Sequence, residues 1–381
     1  MTMTTDKQNK VLNVPNLRFP EFTEEWTGAT VGNCFELYSG NTPSRLDKEN
    51  FNGDINWITS GELKEHYIGN TKEHISEEVV KGNNLKLLPV GTFVIAIYGL
   101  EAEGVRGTGS ITTQKSTISQ ACMAFTPTSM ITNEFLYSWY KKHGNIIGIK
   151  YAQGTKQQNL CYEIIEKFKI QYPSLKEQEK LNRFISLLDE RIATQSRVID
   201  KLQSLMGGIA EALTTNTPNT KIADCLVCHS STLQENQVNS SGRYNVYGAS
   251  GICGYTDEPD IMTDSILIVK DGSGVGTVSY ADGKYSVIGT SNYLTAKDGY
   301  LLRYLYYCLM CFNFTPYKTG MAIPHIYFKD YGRAKIYCPS IEEQRKIAEA
   351  LSKIEHKIEI GQSILRQYSM QKQYLLQQMF I

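Results

Sequence analysis

The sequence predicts an α+β protein: two mixed α/β domains joined by two long antiparallel helices that form a coiled-coil spacer. Three observations carry this. The run Pro173-Ser174-Leu175-Lys176-Glu177-Gln178-Glu179-Lys180-Leu181 returns 166 residues later as Pro339-Ser340-Ile341-Glu342-Glu343-Gln344-Arg345-Lys346-Ile347. Each run leads into apolar residues spaced alternately four and three apart. They are Leu181, Ile185, Leu188, Ile192, Ile199, Leu202, Met206, Ile209 and Leu213 in the first, and Ile347, Leu351, Ile354, Ile358, Leu365, Tyr368, Leu375 and Met379 in the second. That is a heptad seam, and each seam supplies the partner helix the other needs. The third observation is that the segments before the two runs echo one another, so the whole chain is a duplication of domain plus helix.

In order along the chain, residues 14–26 form an arm. Pro15 and Pro20 favour extended backbone, and Phe19, Phe22 and Trp26 supply aromatic groups to lay on a surface. Residues 30–35 read as a short helix or turn and residues 56–59 as a strand. Val90-Gly91-Thr92-Phe93-Val94-Ile95-Ala96 has the continuous apolar pattern of a buried strand. A glycine-rich loop occupies residues 99–109. Residues 118–125 read as a strand, 134–142 as a helix with four aromatics, 154–160 as a polar loop and 167–172 as a strand. The uncharged, Pro-containing stretch at residues 214–220 marks a domain boundary.

The series then restarts. Residues 221–226 echo 30–35, residues 264–269 echo 91–96, residues 301–306 echo the helix from Phe135, and residues 319–326 fall opposite 153–160. The echoes start at an offset of 191 and end at 166, so the first copy is longer by 25 residues in its interior loops. The boundaries drawn are a first domain at 1–172, a first spacer helix at 173–214, a second domain at 215–338 and a second helix at 339–381. A framework kept fixed while loops differ points to two sites with different targets. A helix of about 40 residues spans ~60 Å, longer than a core requires, which suits a ruler. Gln195 fills a polar slot in the first seam, with Gly361 in the matching slot of the second; a hydrogen bond from Gln195 would fix the register of the pair, and solvation of a splayed slot is the alternative.

With 41% hydrophobic and 20% charged residues the composition is that of a soluble globular chain. No apolar run reaches membrane-spanning length and residues 1–10 are polar, so a cytoplasmic protein is expected, with its nine cysteines as free thiols. The 39 basic residues balance 39 acidic ones, and the balance holds regionally: 17 against 18 over residues 1–170, and 10 against 10 over 215–335. This counts against tight unaided nucleic-acid binding, while leaving room for a basic stripe made by folding or for charge supplied by partners.

Catalytic signatures are absent. There is no phosphate-binding Gly-x-x-x-x-Gly-Lys-Ser/Thr loop and no Asn/Asp-Pro-Pro-Tyr of amino-methyltransferases. Asp271-Gly272-Ser273-Gly274-Val275-Gly276-Thr277 lacks dinucleotide spacing and reads as a tight loop whose exposed amides would grip a backbone phosphate. Asp54, Glu62 and Lys64 have the residue types of a metal nuclease, but only seven residues separate the two acids, and Trp57 to Ser60 between them reads as one strand. Cys225, Cys228, His229, Cys308 and Cys311 have zinc-ligand types with pairs too far apart, and the last two cysteines belong to an apolar helix. Neither set is taken as a metal site. Tyr38, Tyr98, Tyr247 and Tyr255 adjoin glycine-rich loops, where tyrosines either pack the framework or stack on bases.

The doubled Pro-Ser-Leu/Ile-x-Glu-Gln-x-Lys-Leu/Ile opening resembles that of the specificity subunit of type I DNA restriction–modification systems. Leu17-Arg18-Phe19-Pro20-Glu21-Phe22 with Trp26 looks like the usual start of such chains. Tyr244-Asn245-Val246-Tyr247-Gly248-Ala249-Ser250-Gly251-Ile252-Cys253-Gly254-Tyr255 is similar to the Tyr-Gly-x-x-Gly-x-x-Gly-Tyr stretch of their half-site readers. The resemblance covers essentially the whole chain. It implies two target-recognition domains, each reading half of a split, asymmetric double-stranded DNA sequence, with the helices as spacer. It also implies partners: two methyltransferase subunits bringing S-adenosylmethionine and two motor–nuclease restriction subunits using ATP and magnesium. The chain itself would hold no cofactor and no catalytic centre. One departure is that Met321-Ala322-Ile323-Pro324-His325 stands where the first copy has Thr155-Lys156-Gln157-Gln158-Asn159.

For DNA contact the polar residues of the variable loops are the candidates, Arg and Lys for guanine or phosphate and Asn or Gln for adenine. These are Arg45, Ser60, Lys64, Arg106, Lys115, Lys156 and Gln157 in the first domain. In the second they are Arg243, Tyr247, Ser250, Lys270, Ser273, Ser291, Asn292 and Lys318. Glu177, Gln178, Glu343 and Gln344, taken to face outward at the helix openings, are the candidate contacts for the methyltransferase subunits. Two rival readings remain: a stand-alone nuclease built on Asp54, Glu62 and Lys64, and a coiled-coil adaptor that binds no DNA.

Overall fold

The structure is a computed structural model that describes residues 13–102, 104–127, 130–154, 158–320 and 322–381. Among them the helices longer than eight residues are α1 (Asn133–Tyr151), α2 (Leu175–Thr214), α3 (Leu302–Met310) and α4 (Ile341–Met379). The chain divides into two compact units. One comprises residues up to Thr194 with Leu365–Ile381, and the other Gln195–Ile364. Both dividing points fall inside the long helices, so each unit contains half of α2 and half of α4.

The first unit is built on a five-stranded sheet in the order Phe35–Ser39, Cys122–Pro127, Phe93–Ala96, Gly109–Thr112, Tyr67–Ile68; all neighbours are antiparallel except the last pair. The apolar run expected as a strand is fully buried from Phe93 to Ala96. α1 covers this sheet, and its Phe135 and Leu136 merge with Leu181, Ile185, Leu188, Leu375 and Met379 of the long helices into one core. A smaller sheet, His74–Ile75, Ile55–Ile58 and Ser116–Ile118, packs its own core of Trp57, Ile75, Val80 and Leu85. The strand expected over residues 118–125 is two strands in different sheets, because the chain turns at Ser119–Ala121 and Cys122 then donates its amide to Ser119 O. α1 also runs nine residues past the expected end. Its Gly144 and Gly148, which lower helix propensity, allow close packing: a Cβ at Gly148 would lie 2.5 Å from Arg106 Cγ, and one at Gly144 would lie 3.0 Å from Gly107 Cα.

The second unit repeats the plan with less material. Its four-stranded antiparallel sheet runs Leu226–Ser230, Ser291–Ala296, Ser265–Val269, Val278–Ala281, beside a three-stranded sheet of Gly251–Thr256, Tyr244–Gly248 and Ser286–Val287. In each unit a two-stranded ribbon leads to the long helix: Thr27–Thr30 with Lys169–Tyr172, and Thr220–Lys221 with Lys335–Ile336. Short helices Val31–Cys34 and Ile222–Cys225 follow the first strand of each ribbon, at the echoed positions.

The seam residues pack as the heptad pattern demands. In the first unit Leu181, Ile185, Leu188, Leu375 and Met379 are buried; in the second Ile199, Met206, Ile347, Leu351 and Ile358 are. Pairing runs antiparallel in each unit, Asp189 meeting Lys372 in the first and Gln195 meeting Gly361 in the second. Gln195 Nε2 donates to Gly361 O at 3.2 Å, and a Cβ on Gly361 would stand 3.1 Å from both Gln195 Nε2 and Ile199 Cγ1. The slot is therefore hydrogen-bonded and closed, not splayed. At its far end the seam departs from the pattern, since Leu213 is exposed while Ala210 and Thr214 are buried.

Candidate nucleic-acid interface

Three of the four residues of the repeated Glu-Gln pair work inward, contrary to their expected place on an outer face. Gln178 is fully buried: its Oε1 accepts from the amide of Thr132, the N-cap of α1, at 2.9 Å, and its Nε2 donates to Met130 O and Pro173 O. Gln344 repeats this on the amide of Leu301, the N-cap of α3, at 2.9 Å, and on Pro339 O. A glutamine suits the task because one amide both accepts and donates. Glu177 is buried beneath the arm, where Arg18 Nε and Nη2 reach it at 2.8 and 2.7 Å and Trp26 Nε1 at 3.3 Å. Those bonds hold the Arg18 guanidinium above its ordinary pKa. Of the four residues assigned to partner contact, only Glu343 lies on the surface.

Each unit places a hairpin, closed by backbone bonds across seven residues, beside the loop that follows its central strand. In the first, Gln153 and Asn159 exchange backbone bonds of 2.8 and 2.9 Å, and Leu100 N donates to Gln158 O at 3.0 Å. Arg106 lies along α1 and its Nη2 donates to Gln158 Oε1 at 2.8 Å, while its Nε is buried without a partner. Lys156 and Gln157 fall within this hairpin but outside the described residues. In the second unit Thr319 and His325 exchange bonds of 2.9 and 2.8 Å, and Gly272 N donates to Pro324 O at 2.9 Å. Lys318 is exposed at the hairpin's foot, Ile323 is 67% exposed near its tip, and Lys270 pairs with Asp271 beneath it. The exposed Ser250, on the turn joining Tyr244–Gly248 to Gly251–Thr256, comes near the same loop: a Cβ on Gly274 would be 3.7 Å from Ala249 O. Thus Ser250, Lys270, Ser273 and Lys318 gather on one face of the second unit.

The glycine loop is tight, as expected, but most of its amides are committed. Those of Asp271, Gly272, Val275, Gly276 and Thr277 donate to carbonyls within the protein, and Gly272 and Gly276 hold φ of 96° and 89°. The Ser273 and Gly274 amides donate to no carbonyl among the described residues.

Other candidates are placed differently. Arg45 makes a two-pronged pair with Glu73 at 2.8 and 2.9 Å and lies over the rings of Phe51 and Trp57, so it braces the small sheet. Lys64 lines an open cleft of about 540 Å³ with Glu62, Glu65, Tyr67, Asn70 and Lys72. Ser60 opens the turn before it, and Lys115 is exposed ahead of the strand Ser116–Ile118. Arg243 is exposed, while Tyr247 is half-buried edge-on to Tyr285. Ser291 and Asn292 are corrections: they are 1% and 5% exposed inside the strand Ser291–Ala296, where Asn292 accepts from Ser230 Oγ at 2.9 Å. Buried side chains leave them no access to a groove.

Glu62 closes a capping box with Thr59 and takes the Lys72 amide at 2.7 Å, so both its oxygens are engaged. His229 stacks on Tyr293 and bonds Thr295, while Cys308 Sγ reaches Tyr337 O. Among the described residues no three His, Cys, Asp or Glu side chains are arranged to hold a metal. Nor is any described helix long and apolar enough to cross a membrane. A polar cleft of about 500 Å³ in the second unit was not anticipated; Ser231, Thr232, Gln234, Gln237, Asp260 and Tyr293 line it. The hydroxyl run Ser230-Ser231-Thr232 was its only trace in the sequence.

A family model described as the type I restriction modification DNA specificity domain matches residues 23–204 and again residues 221–367. The chain belongs to this family. The two matches coincide with the two copies of the domain-and-helix plan, so the specificity domain is present as an internal duplication. The MjaIX type I restriction enzyme specificity subunit of Methanocaldococcus jannaschii is 27% identical over 186 residues, covering 47% of this chain and 42% of that one. The chain thus spans less than half the length of that relative. The EcoprrI specificity subunit of Escherichia coli is 23% identical over 372 residues, with 87% of each chain covered. The crystal structure of the type I restriction–modification S subunit from M. genitalium superposes with a TM-score of 0.62, at 17% identity, covering 97% of this chain and 99% of that one. It shares the fold of this specificity-family chain.

Proposed function

We propose that this chain is the DNA-recognition subunit of a type I restriction–modification complex, each unit reading one half of a split target. The observation that carries the reading is the pairing, in both units, of a braced hairpin with the loop after the central strand. In the second unit exposed polar and basic side chains lie on or beside it, over a framework built on the same plan. Arg106 in the first unit, and Ser250, Lys270, Ser273 and Lys318 in the second, are the assigned contacts, with Lys156 and Gln157 expected at the first hairpin. Lys64 and Lys115 extend the first surface, and Arg243 and Tyr247 the second. Phosphate contacts from Lys and Arg would set position, and base-edge contacts from the polar tips would set sequence. The length of α2 and α4 sets the gap between half-sites.

Methylation and cleavage then belong to methyltransferase subunits with S-adenosylmethionine and to restriction subunits with ATP and magnesium, which this chain directs to the target. Two of each are expected, one methyltransferase per repeat. Their docking surface is assigned to the exposed flanks of the long helices, Glu343 included, since Glu177, Gln178 and Gln344 are committed internally. Methylome sequencing of cells expressing the chain with its methyltransferase partner, against cells lacking the chain, tests the proposal. A split, asymmetric adenine-methylated motif dependent on the chain is expected. No such motif, or one unaffected by deleting the chain, sinks it.

A further inference from the structure

The two units hold α1 and α3 against the long helices by different arrangements of charge. Gln178 anchors Thr132 and Gln344 anchors Leu301. Counting from these anchors, Glu134 of α1 corresponds to Arg303 of α3, and the repeat of the long helices makes Asp189 correspond to Glu355. In the second unit the pair is direct: Arg303 Nη2 meets Glu355 Oε2 at 2.6 Å, and Tyr307 OH donates to the same oxygen at 2.8 Å. In the first unit both positions are acids.

His66, on the residue before the strand Tyr67–Ile68, stands between those acids. Its Nε2 is 2.9 Å from Glu134 Oε2 and its Nδ1 3.9 Å from Asp189 Oδ2. The ring is stacked between Tyr67 at 4.1 Å and Tyr137 at 3.9 Å, both nearly parallel to it. Lys372 of α4 pairs with Asp189 Oδ1. Glu65 and Lys141 complete the charged surroundings, and burial together with Lys372 pushes the Lys141 ammonium down from its ordinary pKa. Asp189 Oδ2 is buried and has no hydrogen-bond partner.

A neutral imidazole has one N–H. Given to Glu134, it leaves Asp189 Oδ2 bare; an imidazolium serves both, after a shift of about 1 Å to bring Nδ1 into range. We propose that His66 is a positioning residue whose charged form bridges Glu134 of α1 to Asp189 of α2, fixing the loop at residues 60–67 against the long helices. That loop carries Lys64, so the bridge sets how the first half-site is read, while the direct Arg303–Glu355 pair makes the second insensitive to it. The link to reading rests on the proposed DNA role; the bridge does not.

The experiment uses the full chain, alone and with its methyltransferase partner, as wild type, His66→Ala, Glu134→Arg and the double variant. In the chain alone, hydrogen-exchange protection of residues 60–67, corrected for intrinsic rates, is read from pH 6 to 8.5. The expected result is protection that falls as pH rises in the wild type and is low and pH-flat in His66→Ala, with His66→Ala costing much less in the Glu134→Arg background, where the bridge is already broken. In the complex, discrimination between cognate DNA and DNA altered in the first half-site should drop roughly ten-fold in His66→Ala, and little further in the double variant than in Glu134→Arg alone. Discrimination at the second half-site should stay unchanged.

If His66 only packs between the tyrosines, its loss costs the same with or without Glu134→Arg, and a pH slope surviving in His66→Ala likewise overturns the proposal. Loss of all sequence-dependent binding in the wild type would instead count against DNA reading, and the exchange measurement would still judge the bridge.

Discussion

Glu177→Ala should cost several kcal/mol of stability and Glu343→Ala almost none, although the two residues are the same letter of the repeated motif. Glu177 is 1% exposed and receives three hydrogen bonds, two of them from Arg18, whose side chain is 13% exposed. Removing it strands a largely buried guanidinium and the Trp26 indole N–H, a loss of about 3–5 kcal/mol for breaking one side of a buried pair. Glu343 is on the surface, with only its backbone amide engaged, by Ser340 Oγ at 3.4 Å, so its truncation should stay within about 0.5 kcal/mol. Urea unfolding followed by far-UV circular dichroism measures both, and the first unit should melt earlier in Glu177→Ala. Arg18→Met with Glu177→Leu should recover much of the loss, since apolar replacement of a buried ion pair is often neutral. Equal midpoints for Glu177→Ala and Glu343→Ala would refute the assignment of the arm as the lid on that carboxylate.

Further outcomes follow from the same geometry. Gly208→Ala, a helix-interior position with open space around its Cβ, should gain about 1 kcal/mol in thermal unfolding. Gly361→Ala should gain nothing and lose up to about 2 kcal/mol, because its Cβ presses on Gln195 and Ile199 at 3.1 Å. Lys318→Ala should weaken DNA binding by the complex and reduce the salt slope by about 1, measured by fluorescence anisotropy over a salt series, while Ser291→Ala leaves both unchanged. Burial holds the His143 imidazole below its ordinary pKa, partly offset by its bond to Trp139 O. The folded state therefore binds that proton less readily than the unfolded one, and stability should fall as pH drops through about 6.5 and below. His143→Gln should flatten that limb in denaturation midpoints taken from pH 7.5 to 5.

The sequence determined the duplication, the two long helices and their seam, because heptad spacing is a property of one chain segment that any antiparallel partner must satisfy. It also located the polar loop at 154–160, its counterpart at 319–326 and the glycine loop, though not the backbone pairing that makes the first two hairpins. Only the tertiary structure decided which way side chains point. Periodicity marks the seam face of α2 and α4 but says nothing about the second face each helix turns to its own sheet. Gln178 and Gln344 therefore looked like surface motif residues, when they are clamps on the first amides of α1 and α3. Ser291 and Asn292 looked like polar loop residues because flanking strands that bury them come from distant sequence. The extra turns of α1 were hidden by Gly144 and Gly148, which weaken a helix in isolation yet permit the contact with Gly107 and Arg106 that keeps it. His66 carried no local signal at all: its significance arises where Glu134, Asp189 and Lys372, from three helices, meet around one ring.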